Sequence, residues 1–262
     1  MPLIYWTIPE IGMKNNTNNH IKVLSACVTG PMHKIRQMPC QDYCRHSTRG
    51  DNFVAVLSDG AGSAKYGRIG AKILCDTLID LLPNVPFRDI KTSIINSVEV
   101  AREKLLFHRL NSRNNHRGLM AFSATLVGVV YHKNHGIFFH IGDGAALAFT
   151  GSNFSEYVAS KPENGIFSCE TYFYTMDDWR DCLRFTTFEK AHTIMMMSDG
   201  VTGFSFSSDY KNIEPRFLLP IDRFLSKEPI KSRARRALYN TLGTPQAQKI
   251  NPDDKTFLWA KL

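Results

Sequence analysis

The 262-residue sequence lacks the features by which several large classes of protein are recognised. No stretch approaches the roughly 18 consecutive apolar residues that a membrane-spanning helix requires. There is no glycine-rich loop ending in Lys followed by Ser or Thr, and there is no Gly-x-Ser-x-Gly turn. The usual nucleotide-binding loop and the usual serine-hydrolase nucleophile are therefore excluded. No internal repeat or long low-complexity segment is present, which excludes a repeat architecture.

Acidic residues are outnumbered by basic ones, with 24 Asp and Glu against 32 Lys and Arg, for a net charge of +8. A basic surface attracts acidic partners, including phosphorylated ones, although a solvated helix face explains the same pattern. No helix-reading or stacked-aromatic motif accompanies the basic residues, so we expect no nucleic-acid partner. Much of the excess lies late in the chain, at Arg223, Lys227, Lys231, Arg233, Arg235 and Arg236.

Cysteine is also sparse, at six scattered residues. Cys27 and Cys75 lie in apolar runs, where cysteine behaves as a small core residue. The first 13 residues contain Pro9 and Glu10 and lack a basic start, so we expect no secretory signal and no membrane association. A reducing cytoplasm fits this cysteine usage best.

Hydrophobic periodicity predicts more strands than helices. Residues 30–39 and 201–220 are expected to be irregular, and residues 152–183 are a candidate flap over an active site. The number of strands indicates two packed sheets with helices outside. The predicted helices cover residues 67–82, 89–110 and 221–242, and the predicted strands cover 21–28, 53–57, 122–131, 136–141, 145–149, 192–197 and 256–262.

Acidic residues recur where these predicted strands begin or end. Each one alone is explained as a turn residue. Strand ends that are distant in sequence can meet in space, however, and carboxylates that meet repel one another unless a hard cation relieves the repulsion. The sequence therefore predicts a carboxylate site for a divalent cation, formed from Asp42, Asp59, Asp143, Asp199 and Asp253.

A second metal site is conceivable near the start of the chain. His33, Cys40, Cys44 and His46 are four potential zinc ligands within a short stretch. The spacing of the two cysteines falls within the loose range for zinc, but the histidines are not regularly placed around them.

The order of the acidic motifs resembles that of a known family, the metal-dependent serine/threonine protein phosphatases of type 2C, and is most similar to a compact bacterial branch. The resemblance implies an α+β fold, an antiparallel β-sandwich of two sheets flanked by α-helices in four layers. It implies one phosphatase catalytic domain over residues 1–262, with residues 1–20 as an irregular extension. The motifs are Gln41-Asp42, Asp59-Gly60-Ala61-Gly62, Ile141-Gly142-Asp143-Gly144, Ser198-Asp199-Gly200 and Asp253-Asp254-Lys255-Thr256.

The same resemblance implies a site that holds two Mn²⁺ or Mg²⁺ ions. Asp59 would bridge the two ions, and the carbonyl oxygen of Gly60 would bind one of them. Asp199 and Asp253 would complete the other, which makes these two and Asp59 the catalytic residues. Asp42 would hold metal-bound waters. Carboxylate, carbonyl and water oxygens are the ligands that suit these ions.

Three positions depart from the family pattern. Gln37 occupies the place of an Arg that grips phosphate, so the neighbouring Arg36 and His33 are the candidates for that role. Ala61 stands where animal relatives carry a His thought to act as the general acid, so water held by a cation would protonate the leaving group. Asp254 stands in a slot that is commonly Asn.

The resemblance also implies the reaction. A water bridging the two ions would attack phosphoserine or phosphothreonine directly, and Asp143 with Asp199 would hold a third, weaker ion. The expected partners are a phosphorylated protein and a serine/threonine kinase that opposes the enzyme, and a monomer is expected. The alternative is a catalytically weak relative that acts as a phosphoprotein-binding regulatory module.

Overall fold

The computed structural model describes residues 21–111, 118–163 and 171–262. The predicted extension over residues 1–20 lies outside the described residues, as does Cys169. The cysteines within those ranges are free thiols: Cys27, Cys40, Cys44, Cys75 and Cys182. In the same ranges, no helix combines the length and the apolar character needed to cross a membrane.

Within these ranges, ten strands form two five-stranded antiparallel sheets. Sheet A has the strand order β1-β10-β9-β6-β7, and sheet B has the order β2-β3-β4-β5-β8. The strands are β1 (Lys22–Val28), β2 (Tyr43–Arg49), β3 (Asn52–Ser58), β4 (Leu126–His132), β5 (His135–Ile141), β6 (Ala145–Phe149), β7 (Tyr157–Ser160), β8 (Arg184–Glu189), β9 (Thr193–Met197) and β10 (Lys255–Lys261).

The helices of the described residues lie outside the two sheets and complete a four-layer sandwich. They are α1 (Pro31–Ile35), α2 (Gly67–Leu81), α3 (Ile90–Asn111), α4 (Trp179–Cys182), α5 (Asp199–Ser205), α6 (Pro215–Lys227), α7 (Lys231–Leu242) and α8 (Pro245–Ile250). The predicted α+β sandwich of two sheets with flanking helices is confirmed.

Three apolar layers hold the sandwich together. One joins α2 and α3 to the outer face of sheet B, and includes Leu74, Ile94 and Phe139. A second fills the space between the sheets, around Phe53 and Met196. A third packs α5 to α8 against sheet A. The apolar face of α3 is buried at Ile90, Ile94, Val98, Ala101 and Leu105.

The strand register gathers several strand ends at one end of the sandwich. Tyr43 at the start of β2 pairs with Ser58 at the end of β3, and Leu126 pairs with Ile141 in sheet B. In sheet A, Met197 at the end of β9 pairs with both Ala145 and Phe257. All five predicted acidic residues follow or precede these ends, so the fold brings them to one edge of the molecule.

Several predicted boundaries were wrong. The span 30–39 contains the short helix α1, and the span 201–220 contains most of α5 and the start of α6. The predicted helix over 221–242 is two helices, since α6 ends at Lys227 and α7 begins at Lys231. The strand predicted from residue 122 begins at Leu126, after a short 3₁₀ helix.

The helices missed in residues 201–220 have one cause. Glycines and prolines suggested irregular chain there, but tertiary packing against sheet A sustains α5 and the start of α6. Pro215 is the first residue of α6, where no intrahelical N–H is lost. Pro220 lies within that helix, whose Leu218 and Ile221 are buried against sheet A. Strand β2 was missed because it is a half-exposed edge strand with a polar sequence.

Candidate metal centre

The turn after β3 presents the side chain of Asp59 at the sheet edge. Its backbone is fixed by Thr125, whose Oγ1 accepts from Asp59 N at 3.0 Å and whose N donates to Asp59 O at 2.8 Å. Gly60 follows, and a Cβ built there would lie 2.4 Å from the carbonyl carbon of Gly67 at the start of α2. Only a residue without a side chain allows this approach of turn and helix.

Asp42 lies behind Asp59 and is only 2% exposed. Its Oδ2 accepts a 2.8 Å hydrogen bond from Ser198 Oγ, which in turn accepts from Thr256 N at 2.9 Å. The carboxyl of Asp59 lies within hydrogen-bonding reach of those of Asp42 and Asp199. No N–H or hydroxyl group of the described residues donates to Oδ1 of Asp42 or Asp199, although both oxygens are buried.

Burial and mutual repulsion favour the protonated form of these carboxyls. Burial raises the pKa of Asp42 to about 6. Burial, together with the charge of Asp143, raises the pKa of Asp199 to about 7. The pKa of Asp59 is held well above its usual range by burial and by the charges of Asp42 and Asp199. When ionised, these carboxyls therefore carry negative charges that repel one another, and either protons or a cation can neutralise them.

Asp143 occupies the turn after β5. The preceding Gly142 has φ +107°, a conformation that favours glycine. Thr171 Oγ1 donates to Asp143 Oδ2 at 2.7 Å. Burial raises the pKa of Asp143, and the charge of Asp253 adds to the shift.

Asp253 and Asp254 precede β10 and have opposite environments. Asp253 is exposed, and its Oδ1 accepts from Asp254 N at 2.7 Å. Asp254 is 1% exposed. Its Oδ1 accepts from Gly30 N at 2.7 Å, and its Oδ2 accepts from Gln41 N at 2.5 Å. Asp254 therefore ties the segments around α1 and Asp42 to the start of β10, a role that the sequence analysis missed.

The two residues predicted to bind phosphate lie on or next to α1. The Nδ1 atom of His33 is 2.9 Å from Oδ2 of Asp254, so its ring contacts a buried carboxylate. Arg36 is exposed at the end of α1 and does not line the cleft described below. The ligand atoms of His33, Asp253 and Asp254 lie within 4.8 Å of one another. In the part of the chain that the structure describes, the alternative zinc set of histidines and cysteines does not form such a group.

A cleft of about 540 Å³ opens over the acidic cluster. Asp42 and Gly60 lie beneath its surface, and no Lys, Arg or His among the described residues lines it. Its lining consists of Asp59, Ala61, Gly62, Ser63, Thr125, Asp143, Thr171, Tyr172, Phe173, Met176, Asp199 and Asp253.

A sequence profile described as protein phosphatase 2C matches residues 29–249. The chain belongs to the protein phosphatase 2C family. The match spans all of sheet B, strands β6, β7 and β9 of sheet A, and the acidic motifs from Asp42 to Asp199, so the resemblance inferred from those motifs is confirmed. No curated protein sequence matches the chain at a significant level.

Solved structures of bacterial phosphatases share the fold of this phosphatase 2C chain. The serine/threonine phosphatase Stp1 from Staphylococcus aureus has 13% sequence identity and a TM-score of 0.65, over 96% of this chain and 99% of that one. The phosphatase PstP/Ppp from Mycobacterium tuberculosis has 14% identity and a TM-score of 0.63, over 92% and 98%. RsbX, crystallised with magnesium, has 14% identity and a TM-score of 0.56, over 94% and 98%.

Proposed function

We propose that this protein is a metal-dependent protein phosphatase that hydrolyses phosphoserine and phosphothreonine. The observation that carries the proposal is the convergence of Asp42, Asp59 and Asp199 at one strand-end cluster, with buried carboxylate oxygens that receive no hydrogen bond from the described N–H or hydroxyl groups. Family membership supports the same reaction class.

The donor set fits Mn²⁺ or Mg²⁺. It consists of carboxylates with a backbone carbonyl nearby, which are the oxygen ligands such ions take. Asp59 would bridge two ions, the Gly60 carbonyl would bind one, and Asp199 and Asp253 would hold the other. Asp42, which lies beneath the cleft, would orient waters. When bound, a pair of such ions lowers the pKa of water and offsets negative charge on a phosphoryl group.

Several other residues bear on how this reaction would proceed. No described basic side chain lines the cleft, so the chain itself offers no fixed positive charge there to grip the phosphate. Ala61 has no proton to donate to a leaving group. Ser198 and Thr125 hold Asp42 and Asp59 in place through the hydrogen bonds already described. The substrates would be phosphorylated proteins in the cytoplasm, with a serine/threonine kinase acting in opposition.

Removal of metal is the direct test of this function. The purified protein is assayed on an aryl phosphate and on a phosphoserine peptide. EDTA is expected to stop turnover and Mn²⁺ to restore it, because oxygen ligands release such ions reversibly. Alkylation of the cysteines is expected to have little direct effect, because no cysteine acts as a nucleophile in this mechanism.

Two results would contradict the proposal. Trapping of a phosphocysteine intermediate would replace the mechanism with a covalent one. Binding of the phosphopeptide without turnover at saturating Mn²⁺ would favour the alternative, a phosphoprotein-binding regulatory module.

Asp143 provides a separate prediction, since it would hold a third, weaker ion with Asp199. Asp143→Ala is expected to retain the fold and the tight metal pair but to lose turnover, because Asp143 is not among the proposed ligands of that pair, whereas the third ion would hold the water that protonates the leaving group. The measurement is calorimetric Mn²⁺ binding alongside kcat on a phosphopeptide. An unchanged kcat at saturating Mn²⁺ would leave Asp143 with a turn-forming role only.

A further inference from the structure

The cleft has an acidic floor and one apolar wall. The wall consists of Tyr172, Phe173 and Met176, which are each partly exposed beside Asp143 and Asp199. Partly exposed apolar side chains in the wall of a polar cleft gain free energy when a ligand covers them with apolar surface. Tyr172 also packs against the apolar layer between sheet B and its helices, whereas Phe173 and Met176 belong to none of the three apolar layers. The proposed reaction gives Phe173 and Met176 no role.

The apolar wall is a rigid turn rather than a loose loop. Met176 N donates to Phe173 O at 3.1 Å, and Phe173 N contacts Met176 Sδ at 3.4 Å. Between these two residues, Tyr174 and Thr175 point into the body of the protein and are buried. Phe173 and Met176 are thereby turned towards the cleft.

Buried contacts fix this turn to the rest of the molecule. Tyr174 Oη donates to Gly70 O at 2.9 Å, in α2. The guanidinium of Arg102, in α3, donates to the carbonyl oxygens of Tyr174 at 2.6 Å and of Met176 at 2.7 Å. A wall that is already ordered loses little further conformational entropy when it binds a ligand, which favours recognition.

A second part of the cleft lining leaves space for a side chain. It is formed by Ala61, Gly62 and Ser63, which have small side chains or none. A Cβ built on Gly62 would meet no atom within 4 Å. This loop, the apolar wall and the carboxylates of the floor line one cleft, so the gap between the loop and the wall is continuous with the proposed phosphate site.

The cleft offers no protein partner to an acidic occupant of this gap. No basic side chain among the described residues lines the cleft. The cations proposed for the floor would offset the charges of Asp59, Asp143, Asp199 and Asp253, but the phosphoryl group of the substrate would occupy them. An acidic side chain next to the phosphorylated residue would therefore lose hydration against the apolar wall without gaining a partner.

We propose that Tyr172, Phe173 and Met176 form a subsite for an apolar side chain directly flanking the phosphorylated residue of the substrate. The protein would thus prefer phosphopeptides with Leu, Ile, Met or Phe next to the phosphoserine. This inference rests on the proposed phosphatase function. It adds a substrate class to that function.

The test compares phosphoserine peptides that differ only in the two flanking residues, which are Leu, Gly or Glu. The wild-type protein is expected to show a kcat/KM for the Leu peptide about tenfold above that for the Gly peptide, the size of effect that an apolar pocket provides. The Glu peptide is expected to be the poorest substrate. Phe173→Ala and Met176→Ala should each bring the Leu-to-Gly ratio close to one.

Met32→Ala is the matched control, since Met32 is an exposed methionine on α1 that does not line the cleft. It should retain the wild-type ratio. The same peptides with a non-hydrolysable phosphonate are also compared for binding in Mn²⁺. This second measurement reports the preference for the flanking residue even if no peptide is turned over.

The outcomes separate the subsite from the catalytic proposal. Equal turnover of the Leu and Gly peptides overturns the subsite and leaves the phosphatase function standing. A different result would overturn the function and support the subsite. In that case no peptide is turned over, the wild-type protein binds the Leu phosphonate more tightly than the Gly phosphonate, and Met176→Ala removes this difference in binding. Equal binding of all phosphonates with no turnover overturns both.

Discussion

Asp59→Asn is expected to lower kcat/KM on a phosphopeptide by at least about a hundredfold, the scale seen when one group that stabilises transition-state charge is removed. Asp59 is the residue whose carboxyl reaches both Asp42 and Asp199. An amide at this position carries no charge and cannot bridge two cations. The same loss is expected for Asp253→Asn, because Asp253 also lines the cleft and would hold one of the two cations.

The fold should survive the Asp59 substitution. Burial and neighbouring negative charges raise the pKa of Asp59 well above its usual range, so its charged form is unfavourable in the metal-free folded state. Removing that charge is expected to leave the melting temperature in EDTA unchanged or higher. Calorimetric Mn²⁺ binding and kcat/KM are the measurements, and Asp89→Asn, an exposed carboxylate paired with Arg88, is the control. More than about a tenth of the wild-type rate, a loss below ~1.4 kcal/mol, would refute the assignment of Asp59 as a metal bridge.

Asp254→Ala is expected to have the largest effect on stability, lowering the free energy of unfolding by about 3–5 kcal/mol. The carboxylate of Asp254 accepts from the backbone N–H groups of Gly30 and Gln41 and contacts the ring of His33. Its removal leaves two buried N–H groups without an acceptor, and each such group costs about 1–3 kcal/mol.

Chemical denaturation of the metal-free protein measures this loss. The adjacent Asp253→Asn is the matched control, because Asp253 is exposed and should leave the free energy of unfolding nearly unchanged. Two neighbouring carboxylates would then have separate effects, one on activity and the other on stability. A loss below about 1 kcal/mol for Asp254→Ala would show that the α1 segment is held by other contacts.

The sequence predicted the floor of the site better than its walls. Asp59, Asp143 and Asp199 were recognisable because each is followed by glycine at the end of an apolar strand, a local signal. Asp254 had no comparable signal, since its partners Gly30 and Gln41 lie 224 and 213 residues away in sequence. Only the antiparallel register of β1, β9 and β10 brings those segments together.

The wall of the cleft was even harder to predict from the sequence. Residues 152–183 were recognised as a candidate flap, but their composition gave no periodicity from which to assign strands or contacts. Part of this span, residues 164–170, lies outside the described residues. In the rest, the position of the Phe173–Met176 turn depends on hydrogen bonds to α2 and α3, which are distant in sequence. Strands β7 and β8 were missed because they are short or half-exposed edge strands.

The position of β10 between β1 and β9 in sheet A bears on how the protein folds as it emerges from the ribosome. β1 pairs with β10, which is made more than 220 residues after it. Sheet A cannot close until residues 255–261 have left the exit tunnel. Asp254, which precedes them, joins Gly30 and Gln41 at the same time. A chain interrupted before this point has neither a closed sheet A nor the carboxylates of Asp253 and Asp254, so an unfinished polypeptide lacks part of the proposed metal site.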